Sequence, residues 1–271
     1  MMITPPRGAR WSITGSRLRT DPFAEDELTR DAFLGGRLEI LQPGQGYRAG
    51  IDPVLLAAAA PAREYDTLLD LGCGSGVAAL CVAARVPGVE LWGLECQPAY
   101  ADLARRNAAR AGIAMQVATG DIAAIPATLR QRQFDHVIVN PPWFDRTRSD
   151  AAHEPGRETA LGEARALADW MAAAMRRCAP GGHVCVIHRA ERLADMLAAL
   201  AGSIEVLPLV PRRGRAARLV LIRARKGGRA ALKLCDGWLL HHGVRHARDA
   251  DGYTEATAAI LRDAVPLPFH R

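Results

Sequence analysis

Lysine is almost missing from this chain of 271 residues: Lys226 and Lys233 are the only two, so nearly all of its positive charge is guanidinium. Arginine suits bidentate phosphate contact, while a GC-rich genome produces the same bias. The net charge of +6 is compatible with a polyanionic partner and with ordinary solubility alike. Long apolar runs are missing too. The longest, around Val54 to Ala62, is far too short to span a bilayer, and the opening Met1-Met2-Ile3-Thr4-Pro5-Pro6-Arg7 has no apolar signal core. These absences predict a cytoplasmic protein with no membrane partner. The six cysteines (Cys73, Cys81, Cys96, Cys178, Cys185, Cys235) form no C-x-x-C pair and have no histidine at ligand spacing. That argues against a disulfide framework or a zinc site and predicts buried thiols and no metal.

What is present begins with Thr67 to Leu80, an apolar run ending in Asp70, followed by Gly72, Gly74 and Gly76 at alternate positions. It reads as a buried strand turning sharply into a helix. Glycines at that spacing let backbone approach a ligand and aim helix N-terminal amides at it. The pattern is D-x-G-x-G-x-G and not the G-x-G-x-x-G of dinucleotide sites. A second apolar strand, Val89 to Glu95, ends in an acid about twenty residues past the last glycine, where ribose hydroxyls are held in this architecture. Glu95 thus turns a glycine-rich connection into a cofactor site. Helices are expected over Val77–Arg85 and Pro98–Ala111, and a third strand over Met115–Ala118. Asp121 after it reads equally as a ligand to the cofactor's base or as a helix cap.

A fourth strand, Phe134–Val139, stops at Asn140-Pro141-Pro142-Trp143. Ligands of open α/β sheets sit beyond the carboxyl ends of strands, which brings this tetrad beside the glycine turn. The two prolines stiffen the strand end and remove two donors, so acceptors and a flat aromatic face are offered to the site. Asp145–Glu158 reads as a polar loop. A helix over Leu161–Arg177, a turn at Pro180-Gly181-Gly182 and a strand over His183–Ile187 follow, then a helix over Ala190–Ala201 and strands over Ile204–Val210 and Arg218–Arg225. His183 and His188 read as surface or strand-end residues, not bases. Arg212, Arg213 and Arg215, with Arg225 and Lys226, make the densest basic patch, open to reading as a phosphate surface or as a solvated hairpin tip. A final helix is expected over Gly252–Ala264.

Upstream, residues 1–35 read as a partly flexible basic arm, and 36–271 as one α/β domain of doubly wound type. Arg37–Gln42 and Tyr47–Ile51 predict a hairpin within 36–52. Asp52 then reads equally as the N-cap of a helix over Val54–Ala60 or as a ligand residue.

The order Asp70-x-Gly72-x-Gly74-x-Gly76, Glu95, Gly120-Asp121, Asn140-Pro141-Pro142-Trp143 resembles the class I S-adenosylmethionine-dependent methyltransferases. Phe33-Leu34-Gly35-Gly36-Arg37-Leu38, Gly46-Tyr47-Arg48-Ala49-Gly50-Ile51-Asp52 and Gly252-Tyr253-Thr254-Glu255-Ala256 are similar to the bacterial tRNA valine (adenine-N6)-methyltransferases. The resemblance implies a seven-stranded, mostly parallel sheet with one reversed strand, S-adenosyl-L-methionine as cofactor, and tRNA as partner. It assigns methyl transfer to Asn140, Pro141, Pro142 and Trp143. Cofactor binding falls to Arg48, Gly50, Asp52, Asp70, Gly72, Gly74, Gly76, Glu95, Cys96, Asp121, Ile122 and Asn140. Ile51 stands where the family often has Thr, and Trp143 where it usually has Tyr. The rival readings are guanine N2 of rRNA, a protein glutamine amide, and a non-catalytic RNA-binding protein. The glutamine enzymes carry an N-terminal helical bundle that this opening does not resemble, and a relic fold would have broken motifs.

Overall fold

The computed structural model describes residues 19–142, 167–243 and 252–269. Residues 1–18 of the arm, Trp143, the loop Asp145–Glu158 and the start of the helix expected from Leu161 lie outside the described residues.

Two strands, β1 (Leu28–Phe33) and β2 (Leu38–Pro43), form an antiparallel hairpin apart from the main sheet. The hairpin is there, but the partner of β2 lies upstream, inside the stretch read as an arm, and 47–51 carries no strand. Gly35 and Gly36, both at positive φ, close the hairpin on that side. The expected return segment is bonded instead by one side chain of β2: Gln42 Oε1 accepts from the Ala49 amide at 2.7 Å and its Nε2 donates to the Ala49 carbonyl at 3.2 Å.

Helix α1 (Asp52–Ala59) leads to β3 (Thr67–Leu71), then α2 (Val77–Arg85), β4 (Glu90–Glu95), α3 (Pro98–Arg110), β5 (Met115–Thr119), the short α4 (Ala127–Arg130) and β6 (Phe134–Val139). After the undescribed stretch come α5 (Leu167–Arg177), β7 (Cys178–Arg189), α6 (Leu193–Ala199), β8 (Ser203–Val210), β9 (Leu219–Arg225), the two-residue strands β10 (Lys233–Leu234) and β11 (Trp238–Leu239), and α7 (Glu255–Asp263). The sheet order is β5-β4-β3-β6-β7-β9-β8, extended by β10 and β11 on β8. Only β9 among these strands runs against its neighbours. The sheet expected with seven strands and one reversed is therefore present, with two short strands added at its edge.

Alternation along each strand divides the core in two. Leu68, Ile138, Cys185 and Ile187 pack with α1, α2 and α7 on one face. Leu69, Val137, Val139, Val184 and Val186 pack with α5 and α6 on the other. Both faces are covered, so the strands read as unbroken apolar runs. The turn expected at Pro180-Gly181-Gly182 is a bulge within β7: Cys178 pairs with Phe134, and pairing resumes at His183 opposite His136. A short 3-10 turn over Ala190–Arg192 precedes α6. Among the described residues no helix is long and apolar enough to cross a membrane, and all six cysteines are free thiols.

Candidate active site

Leu71 of β3 lies level with Leu94 of β4 and Val139 of β6. The next residues, Gly72, Glu95 and Asn140, therefore stand at one height at the ends of adjacent strands, about 4.8 Å apart. Because β4 continues the sheet on one side of β3 and β6 on the other, a crevice opens where the order reverses. It holds a cavity of about 360 Å³, within the roughly 300–1,000 Å³ usual for small-ligand sites.

Three carboxylates line this cavity. Asp70, 2% exposed, accepts from the Ala79 amide at 3.2 Å. Burial pushes its carboxyl up to about 7, with the Ala79 bond opposing and the Glu95 charge adding. Glu95 accepts from Gly74 N through Oε2 and from Gln97 N through Oε1, both at 2.9 Å, and burial raises its pKa against those bonds. Asp52 is the first residue of α1 and not its cap, which is Ile51 with no side-chain bond. No hydrogen bond reaches the Asp52 carboxylate from the described residues, and burial pushes it up to about 6. The cap reading of Asp52 thus fails. The cap reading of Asp121 fails as well: its Oδ1 accepts from Ala123 N at 2.8 Å in a turn, the next helix starts at Ala127 after Pro126, and the cavity wall there is Gly120 and Ile122.

Gly72, Gly74 and Gly76 all have positive φ. At Gly72 a Cβ would come within 2.9 Å of the Trp170 ring. Gly76 is the left-handed N-cap of α2 and sits behind the wall against Ala104, so its place is in shaping the turn. Gly50 and Cys96 are wall residues, and the Cys96 thiol points to Glu95 Oε1 at 3.5 Å. Arg48 also lines the cavity, but its guanidinium is committed to the hairpin. It donates to Asp31 Oδ2 at 2.6 Å, Thr29 Oγ1 at 2.7 Å and the Pro43 carbonyl at 2.9 Å.

Asn140, Pro141 and Pro142 complete the wall. Asn140 Oδ1 is buried with no hydrogen-bond partner among the described residues. An orphaned acceptor costs about 1–3 kcal/mol unless something supplies a donor, so this atom is open to a ligand N–H or O–H. Trp143 lies outside the described residues.

Sequence reasoning missed four contributors. Tyr47, half-buried over Gly74, is clamped by the Tyr100 hydroxyl, which accepts from Tyr47 N at 3.1 Å and donates to its carbonyl at 3.2 Å. Asn107 bonds Leu41 N and O and the Ser75 carbonyl, tying β2 to the glycine turn. Trp170 reaches the cavity from α5. Each joins segments far apart in sequence, so no local motif announces them. His188 is the fourth: it lies at the end of β7 as read but is 1% exposed and not a surface residue, and its Nε2 stands 3.2 Å from the Pro142 carbonyl.

The basic patch divides. The turn carrying Arg212, Arg213 and Arg215 follows β8 at the carboxyl-end rim of the sheet, the same rim as the cavity. Arg213 and Arg215 are exposed, and Arg212 donates to the His242 carbonyl. Arg225 and Lys226 follow the reversed strand β9 and so lie at the opposite rim. Lys226 Nζ donates to the carbonyls of Met175 and Cys178, both at 2.8 Å. It caps the end of α5.

The sequence profile of the methyltransferase small domain matches residues 50–208. A tRNA1(Val) (adenine(37)-N6)-methyltransferase of Dickeya chrysanthemi is 31% identical over 227 residues, covering 80% of this chain and 87% of that protein. The chain belongs to the methyltransferase small domain family. A similarly named protein of Porphyromonas gingivalis is 32% identical over 184 residues, covering 62% of this chain and 69% of its own. Among solved structures, a predicted O-methyltransferase from Agrobacterium tumefaciens is similar with a TM-score of 0.63 and 25% identity, over 81% of this chain and 99% of that one. The 16S rRNA N2 G1207 methyltransferase of Thermus thermophilus shares the fold at a TM-score of 0.52, with 18% identity over 73% of this chain and 50% of its own.

Membership makes this an S-adenosylmethionine-dependent methyltransferase, and the cavity suits that cofactor. Its sulfonium and ammonium groups would meet the carboxylates of Asp52 and Asp70, its ribose hydroxyls would meet Glu95, Leu94 and Ile122 would offer apolar walls to its purine, and the glycine turn leaves room for the ligand.

Proposed function

We propose that this protein methylates the exocyclic N6 of an adenine in tRNA. The observation that carries the reading is Asn140 Oδ1, a buried acceptor without a donor among the described residues, at the end of β6 and in the wall of the cavity that suits the methyl donor. The tRNA and adenine-N6 names of the Dickeya and Porphyromonas relatives support the choice of substrate.

S-adenosylmethionine, when bound, supplies an electrophilic methyl group on a cationic sulfur. The chain's own residues prepare the acceptor. An exocyclic amine is a poor nucleophile because its lone pair is delocalised into the ring. Asn140 Oδ1 and the Pro141 carbonyl accept its two N–H groups and favour a pyramidal, more localised nitrogen. Pro141 and Pro142 keep those acceptors rigid, and Trp143 stacks on a base that is flipped out or already single-stranded. Glu95 would hold the donor's ribose hydroxyls, and Asp70 and Asp52 would face its cationic end. Fixed proximity then supplies much of the rate. Arg212, Arg213 and Arg215 contact tRNA phosphates along the cavity rim.

The test offers the protein and radiolabelled donor with three acceptors: unmodified tRNA, 16S rRNA and a release-factor protein. Label appearing in tRNA alone is the expected result. Label in rRNA or protein instead would reject adenine in tRNA in favour of guanine N2 or a glutamine amide.

A further inference from the structure

Strand β7 outruns β6 at the carboxyl end. The last residues paired between them are Val139 and Val186, and His188 stands two residues further on, still in register with Val220 of β9. That overhang carries its imidazole past the end of β6, alongside Asn140–Pro142. By strand alternation His188 shares a face with Val184 and Val186, the face that packs on Trp170 and Met171 of α5.

Neither Pro141 nor Pro142 has an N–H, so the segment after Asn140 cannot extend the sheet ladder through its own donors. Only its carbonyls can be tied, and the Pro142 carbonyl is tied to His188 Nε2 at 3.2 Å. A carbonyl only accepts, so Nε2 carries the proton. Among the described residues Nδ1 is buried with no partner in hydrogen-bond geometry. Burial, helped by the Arg192 and Arg189 charges, holds this imidazole below its ordinary pKa against the opposing backbone bonds at Pro142 and Arg189.

We propose that His188 is a positioning residue: its neutral Nε2–H pins the Pro142 carbonyl and so fixes the direction in which the Pro141 carbonyl and the Asn140 side chain meet the acceptor amine. The inference rests on the reading of Asn140 and Pro141 given above.

Two measurements on the full chain test it. Long-range 15N–1H spectra of the imidazoles should show His188 as a neutral Nε2–H tautomer from about pH 5.5 to 8.5. A Nδ1–H tautomer, or titration near the ordinary value, overturns the proposal whatever the enzyme methylates. In kinetics, His188→Leu should lower kcat roughly 10- to 100-fold while KM for donor and tRNA stays within about twofold. His188→Gln, whose amide nitrogen can reach the same carbonyl, should restore most of the rate. An unchanged kcat in His188→Leu, or a His188→Gln enzyme no faster than Leu, contradicts the role. Should His188→Leu fail to fold, His188→Gln decides alone: near wild-type kcat supports it and a 10-fold loss refutes it. Asn140→Ala is run beside them, because full activity there would defeat the acceptor reading independently of the tautomer result.

Discussion

Asp70 and Asn140 are held in states that water would not choose, and each makes a prediction. Asp70 is ionised reluctantly in the folded chain, with its carboxyl near 7 against about 3.9 when unfolded. The folded state therefore binds more protons between those values, and stability of the ligand-free protein falls as pH rises through that window, by up to about 1.4 kcal/mol per pH unit from this group. Asp70→Asn, which keeps an acceptor for Ala79 N, should flatten that part of the profile in thermal melts taken across the range. It should also weaken donor binding, because one carboxylate facing the cation is lost. Equal slopes in both proteins would show that Asp70 is not the group responsible. For Asn140, truncation to Ala should cost methyl transfer roughly 100-fold or more, by analogy with removal of one preorganised polar contact, while calorimetric donor affinity changes little.

At the level of elements, the glycine turn and α5 are fitted to each other. Gly72 at φ +80, with its missing Cβ 2.9 Å from the Trp170 ring, leaves no room for a methyl group. Gly72→Ala should destabilise the fold by about 1–3 kcal/mol through backbone strain and crowding, measured by denaturant unfolding. Adding Trp170→Leu should recover the crowding part only, which a double-mutant cycle reads directly. The turn itself and the strands β3, β4 and β6 were legible in the sequence because buried parallel strands are plain apolar runs that end in acids, glycines or prolines. The hairpin was half legible. Leu28–Phe33 mixes Thr, Arg and Asp with its apolar residues, so its pattern is weak, and its pairing depends on a glycine turn at positive φ. Tyr47–Ile51 looked like the return strand because a Gln42 side chain, invisible to periodicity, stands in for a strand partner. Tyr47, Asn107, Trp170 and His188 stayed hidden for the same reason, since each acts across a gap that only the fold closes.

Across the whole molecule, sheet topology sorts the arginines more strictly than their density does. The β8–β9 turn shares a rim with the cavity, whereas β9 delivers Arg225 and Lys226 to the far side. Charge reversal at Arg213 and Arg215 together should weaken tRNA binding and lower the slope of log K against log salt by about 1–2. Lys226→Ala should leave that slope unchanged and instead destabilise the fold, as it uncaps α5. An equal loss of affinity at Lys226 would contradict the division. The two halves of the site, glycine turn and Asn140 segment, meet only because β3 and β6 are adjacent at the reversal of strand order. The most direct test of what that meeting achieves is mass spectrometry of nucleosides from unmodified tRNA incubated with protein and isotopically labelled donor. Label in N6-methyladenosine with the wild type, and none with Asn140→Ala, is the predicted result; label on any other nucleoside, or equal labelling by the variant, would contradict it.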